Sequence, residues 1–161
     1  MMIKDTASFR DRSGYVFSRE GIAYRWISPT YIPQYRHLME SGLYRELVDK
    51  RLLVPHKEVE LDGSIDNGIV IQPKRIPFIS YPYEWCFEQY QDAALATMDI
   101  QNIALKYGMV LKDASAYNVQ FLKGYAVLID TLSFDFYQEG LPLGGVWTVL
   151  SSLFCTVNAH E

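Results

Sequence analysis

The stretch LKDASAYNVQFLKGYAVLID holds a carboxylate at Asp113, an amide at Asn118 and a second carboxylate at Asp130, where an apolar run ends. Phosphoryl transfer from a nucleotide needs these kinds of group. A carboxylate orients the attacking hydroxyl, and oxygen ligands from separate elements hold magnesium against the phosphates. On that chemistry Asp113 is the candidate base, and Asn118 and Asp130 are the candidate metal ligands. The same residue types also have a plainer use. Asp and Asn close loops through bonds to their own backbone, and Asp130 before Thr131-Leu132-Ser133 fits the cap of a turn. Both readings fit the residues.

The elements that would position these groups can be read from periodicity and turn signals. Val119 to Phe121 and Tyr125 to Ile129 form two short apolar strands around Leu122-Lys123-Gly124, a hairpin that folds Asn118 and Asp130 to one end. Before it, Glu84 to Gly108 carries Phe87, Tyr90, Ala94, Leu95, Met98, Ile103 and Leu105 at helical spacing, with Gly108 suited to the C-terminal cap. Further upstream, Tyr15 to Phe17 and Ile22 to Ile27 flank the turn SREG as an opening hairpin. Tyr31 to Val54 reads as two short helices broken near Ser41-Gly42. Between these helices and the long one, DGSIDNG separates β-branched runs, and Ile76 to Ser80 reads as a further strand limited by prolines. Strands and helices are segregated along the chain, which predicts an α+β fold.

Composition removes other classes. The chain has 161 residues and a net charge of -4, with 49% hydrophobic residues, so it can bury a core and is expected to form a single domain over 1–161. No run of like charges offers a footprint for nucleic acid. No apolar run is long enough to span a bilayer, and the polar N-terminus is unlike a signal peptide, so a cytoplasmic protein is expected. Cys86 and Cys155 have no metal or disulfide spacing. His37, His56 and His160 are scattered, which argues against a zinc hydrolase. The one close glycine pair, Gly144-Gly145, lacks the strand and acidic partner of a SAM-binding turn, so no methyltransferase site is expected in this chain. The aromatic share of 14%, with 12 tyrosines, points to layered packing and interfaces.

The order Asp-x-x-x-x-Asn, short strand, turn, apolar strand, Asp resembles the catalytic and metal-binding loops of the protein-kinase-like fold, particularly its small-molecule phosphotransferase branch. LKD stands where that signature has HRD, and DTL where it has DFG. The resemblance implies a small strand-rich N-lobe over about 7–82 and a truncated helical C-lobe with the catalytic-loop hairpin over about 83–161. It implies ATP and Mg2+ as cofactors, with Asp113 as base and Asn118 and Asp130 on the metal. Arg25, Glu46 and Lys112 would serve the nucleotide. Arg25 stands in for the strand lysine, and Glu40 or Glu46 on the helix at 35–50 would be its partner. The sequence departs from the kinase pattern in having no GxGxxG loop and no VAIK-like lysine. The strings SFRDRSGYVF, SGLYREL, YPYEW, DAALATMDIQ, LKDASAYNVQF and IDTLSF together resemble the N-terminal region of bacterial nodulation-type and SAM-dependent methyltransferase proteins. That implies a kinase-like piece of a longer methyltransferase-containing protein. The alternative function is then a catalytically degenerate interaction or regulatory module attached to the methyltransferase, with a partner protein or that domain as its contact.

Overall fold

The computed structural model describes residues 2–4, 12–61 and 67–140. Expectations that fall on Gly144-Gly145, Cys155, His160 and the tail after Gly140 lie outside these residues. The chain divides into two compact units, Met1–His37 with Pro55–Arg75, and Leu38–Val54 with Ile76–Glu161.

The first unit is built on an antiparallel sheet of five strands: β1 (Met2–Lys4), β2 (Gly14–Arg19), β3 (Ile22–Ile27), β4 (His56–Glu58) and β5 (Ile69–Pro73), in the order β1-β2-β3-β5-β4. The expected opening hairpin is present. Glu20 and Gly21, both with positive φ, make a two-residue turn whose twist matches the flanking strands. The register places Val16, Arg25, Ile71 and Glu58 in one cross-strand row. Alternation puts Tyr15, Phe17, Tyr24, Trp26 and Val70 on the opposite face, where they pack together with Val59 and Leu61. Gly68 is required there because the indole of Trp26 and the carbonyl of Ile27 occupy the space a Cβ would need.

Between β3 and β4 run α1 (Ile32–Glu40) and α2 (Leu43–Asp49), the two short helices the sequence predicts. They break at Gly42, whose φ of 94° is left-handed and which precedes the first turn of α2.

The second unit contains α2 and α3 (Phe87–Lys106), the paired strands β6 (Met109–Leu111) and β9 (Phe134–Phe136), and the hairpin β7 (Val119–Leu122) and β8 (Tyr125–Leu128). Its core gathers Leu43, Leu47, Leu53, Ile100, Ala104, Met109, Leu111, Leu128 and Phe134. Leu128 is held twice, by Val54 N–H donating to its carbonyl and by its own N–H donating to Leu52, both at 2.9 Å.

The mixed α+β character and the segregation of strands and helices agree with the sequence-based expectation. Two boundaries differ. The long helix starts at Phe87 rather than Glu84, because Pro82–Glu84 form a 3₁₀ turn closed by the Glu84 carboxylate on Tyr81 N–H at 2.7 Å. Gln89 then accepts from Cys86 N–H at 3.1 Å and caps α3. Residues 76–80 make no ladder. Their anchoring comes from a side chain, described below.

Candidate functional site

The loop after β6 is organised by its own polar side chains. Asp113 Oδ1 accepts from Ser115 N–H at 3.0 Å, and its Oδ2 accepts from Asn118 Nδ2 at 3.0 Å. Ser115 Oγ accepts from Tyr117 N–H at 3.3 Å, and Ser115 O from Asn118 N–H at 2.9 Å. Asx and Ser turns of this kind fix a loop without a ladder. The carboxylate of Asp113 therefore points at Asn118 while staying exposed, with lone pairs left on both oxygens for a further donor.

Asp130 reaches the same end of the β7-β8 hairpin. Lys123 and Gly124, both with positive φ, close a two-residue turn that pairs Val119 with Leu128. One step further out, Ile129 N–H donates to Asn118 O at 2.8 Å. Asp130 follows directly, and its Oδ1 accepts from Leu132 N–H at 2.7 Å to cap the 3₁₀ turn Thr131–Ser133. Lys112 N–H donates to Ser133 O at 2.8 Å, which ties the start of the loop to that turn, while the Lys112 side chain is exposed.

Asn118 donates through nitrogen to Asp113, which leaves its amide oxygen as an acceptor, and Asp130 supplies carboxylate oxygen. Oxygen donors of this kind suit a hard divalent cation such as magnesium. Among the described residues no cluster of three or more His, Cys, Asp or Glu side chains gathers. Asp113 and Asn118 bond each other directly, while Asp130 shares their end of the hairpin through the backbone bond of Ile129 to Asn118.

Glu46 on α2 accepts from the Tyr107 hydroxyl at 2.6 Å, and Lys50 Nζ lies 3.9 Å away. The bond to Glu46 raises the Tyr107 pKa, with desolvation and the carboxylate's charge adding to it, so the phenol keeps its proton. Arg25 on β3 is half-buried in the first unit and bears electrostatically on His56.

Two polar arrangements are not evident from sequence. In the first unit, Tyr35, fully buried on α1, donates to Glu58 Oε1 at 3.0 Å and lies 3.1 Å from His56 Nε2. Neutral His56 with its proton on Nε2 completes the chain by donating to the phenol oxygen. Burial and then the charge of Arg25 lower the His56 pKa from 6.5 to about 4. In the second unit, Gln120 on β7, buried, accepts from Ser80 N–H at 3.0 Å and donates to Ser80 O at 2.9 Å. Its amide thus stands in for a neighbouring strand. Trp85 Nε1 donates to Ser80 Oγ at 2.9 Å, and the Trp85 ring packs edge-on against Tyr90 and Phe121. A glutamine at an inward strand position was the available signal, since a buried amide must find partners.

No family model matches the chain. It is 35% identical over 139 residues to nodulation protein NoeA of Rhizobium meliloti (strain 1021), which covers 83% of this chain and 28% of that protein. The chain is similar to one part of a nodulation protein. It spans under a third of that relative's length. Among solved structures, the kinase domain of Mycobacterium tuberculosis PknI aligns with a TM-score of 0.44 at 15% identity, over 74% of this chain and 53% of that one. The resemblance to a nodulation-type protein expected from the sequence is found. Among the described residues, no helix is long and apolar enough to cross a membrane.

Proposed function

We propose that this chain is a kinase-like nucleotide-binding domain that takes ATP with Mg2+ and transfers phosphate to an acceptor hydroxyl, acting in the cytoplasm. The observation that carries the reading is the bond from Asn118 Nδ2 to Asp113, together with the Asn118 O to Ile129 N–H bond that sets Asp130 at the same hairpin end. Asn118 and Asp130 would hold the metal, which when bound neutralises charge on the phosphates. Asp113 accepts the hydroxyl proton, and its orientation is fixed in advance by Ser115 N–H and Asn118. Lys112 and Glu46, in the same unit as Asp113, are the residues assigned to the phosphates and their charge balance, while Arg25, expected beside them from the sequence, belongs to the first unit.

A second reading has its own support. Glu46 is already engaged within its unit by Tyr107 and Lys50, and the sequence has no GxGxxG loop. Under this reading the domain is a non-catalytic module that contacts a partner protein or an attached methyltransferase domain.

Comparing nucleotide binding with turnover separates the two. Asp113→Asn is expected to abolish phosphate transfer while leaving Mg-ATP affinity within about threefold, because a base acts on the acceptor and not on the nucleotide. Nucleotide binding with no transfer to any hydroxyl acceptor in the wild-type chain selects the module.

A further inference from the structure

Strand β6 ends at Leu111, just before Lys112 and Asp113, so whatever fixes that end also fixes where the proposed base begins. Successive N–H groups of a strand in an antiparallel ladder point to opposite edges. Lys112 N–H donates to Ser133 O at 2.8 Å, on the β9 side. Leu111 N–H therefore faces the other edge, where β6 has no strand neighbour because its sheet has two strands. Gln101 on α3 meets it there. Its Oε1 accepts from Leu111 N–H at 2.8 Å, and the residue is 4% exposed.

A buried N–H without an acceptor is costly, and a helix can offer one only from a side chain, since its carbonyls are spent on its own ladder. Gln120 serves Ser80 in the same way, an amide replacing a missing strand. Gln101 Nε2 has no hydrogen-bond partner among the described residues, so what this buried side chain contributes is its oxygen on Leu111. An apolar residue at 101 would avoid the unpaired nitrogen but would orphan Leu111 N–H. The other side of the base is anchored as well. Leu111 and Ala114, on either side of Lys112 and Asp113, are both buried in the core of the second unit. The bonds of Asp113 to Ser115 N–H and Asn118 Nδ2 start from that position. A slip of β6 by one residue would carry the loop about 3.3 Å, and a misplacement of about 1 Å can cost about 100-fold in rate.

We infer that Gln101 is a positioning residue for Asp113: through Leu111 N–H it sets where β6 stops and where the Asp113 and Asn118 pair stands. This goes beyond the phosphotransferase reading, resting on it for the effect on turnover but not for the placement of the loop.

The test compares the full chain carrying Gln101→Met, Gln101→Glu or Thr97→Val with wild type. Thr97, one turn earlier on α3, is as buried as Gln101, and its Oγ1 donates within the helix to Ala93 O at 2.8 Å. Without nucleotide, the NMR resonances of the Asn118 side-chain amide report its bond to Asp113. Gln101→Met moves them toward those of a free amide. Gln101→Glu, which burial keeps neutral and which retains an oxygen for Leu111 N–H, leaves them in place. Thr97→Val lowers the unfolding midpoint without moving them. With Mg-ATP, and water as the acceptor hydroxyl, Gln101→Met lowers kcat by about 100-fold and leaves nucleotide affinity within about threefold, and Gln101→Glu recovers most of kcat. The inference is overturned if Gln101→Met lowers the midpoint with the Asn118 resonances unmoved, if Thr97→Val moves them as much, or if kcat and affinity fall together by one factor. Should Gln101→Met not fold, Gln101→Asn, a methylene too short for Leu111 N–H, takes its place with the same expected outcomes. If the wild-type chain turns over no Mg-ATP, that failure belongs to the phosphotransferase reading, and the Asn118 resonances alone decide the role of Gln101.

Discussion

In the first unit, Tyr35 of α1 and His56 and Glu58 of β4 form a polar chain, with Tyr35 fully buried and His56 held neutral. In the second, Asp113 and Asn118 bond each other at a similar distance on an exposed loop whose shape their own side chains create. The bonds are alike and their consequences differ. A buried polar group must be satisfied inside the protein, so the Tyr35 chain is committed to holding the sheet and helix together. An exposed group that is oriented by a turn keeps both access and residual lone pairs. The exposed loop is therefore the place to expect chemistry.

The pH dependence of stability tests the buried side of this contrast. Folded, His56 takes a proton only near pH 4; unfolded, it does so near its ordinary 6.5. Between those values the unfolded state binds more protons. Stability is then full above about pH 6.5 and falls as the pH drops toward 4, by about 3 kcal/mol at the 1.36 kcal/mol carried by each pH unit. Urea unfolding of wild type against His56→Gln across that range isolates the contribution, and the variant should lose this part of the slope.

Gln120→Ala comes next in size. It strips both backbone partners from Ser80, at a cost of about 1–3 kcal/mol, and it shifts Trp85 fluorescence, since the indole bonds the same residue. A change confined to fluorescence, with no loss of stability, would mean the clamp positions the segment without holding the unit together.

Asp113→Asn is the smallest. An exposed residue whose turn an asparagine can also close should change stability by less than about 1 kcal/mol. A larger loss would make Asp113 a structural residue like those of the first unit and would blur the contrast.

The same division governs what the sequence revealed. The Asp113 to Asn118 bond spans five residues and the hairpin turn is two residues long, so local turn chemistry sufficed to bring Asp113 and Asn118 together and to send Asp130 to the same end. The break between α1 and α2 was legible for a similar reason, through Gly42. His56 and Tyr35 are 21 residues apart, and their meeting depends on the pairing of β4 with β5. Ser80 and Gln120 are 40 apart, so residues 76–80 read as a strand although a side-chain amide takes the place of a neighbouring one. Glu46 was legible as a carboxylate on a helix, but its bond to Tyr107 spans 61 residues and could not be read from either segment.

The proposed binding of a magnesium nucleotide at the loop and hairpin end is tested most directly by a thermal-shift titration. A ligand that binds only the folded chain adds RT ln(1 + [L]/Kd), about 2.7 kcal/mol at a hundredfold excess over Kd. The wild-type chain should be stabilised by Mg-ATP, more than by ATP with a chelator, and Asp130→Ala, whose unliganded midpoint drops with the lost cap on Leu132 N–H, should show no magnesium-dependent shift relative to that midpoint. An unchanged midpoint for the wild-type chain at millimolar Mg-ATP would contradict the account and leave the non-catalytic module in its place.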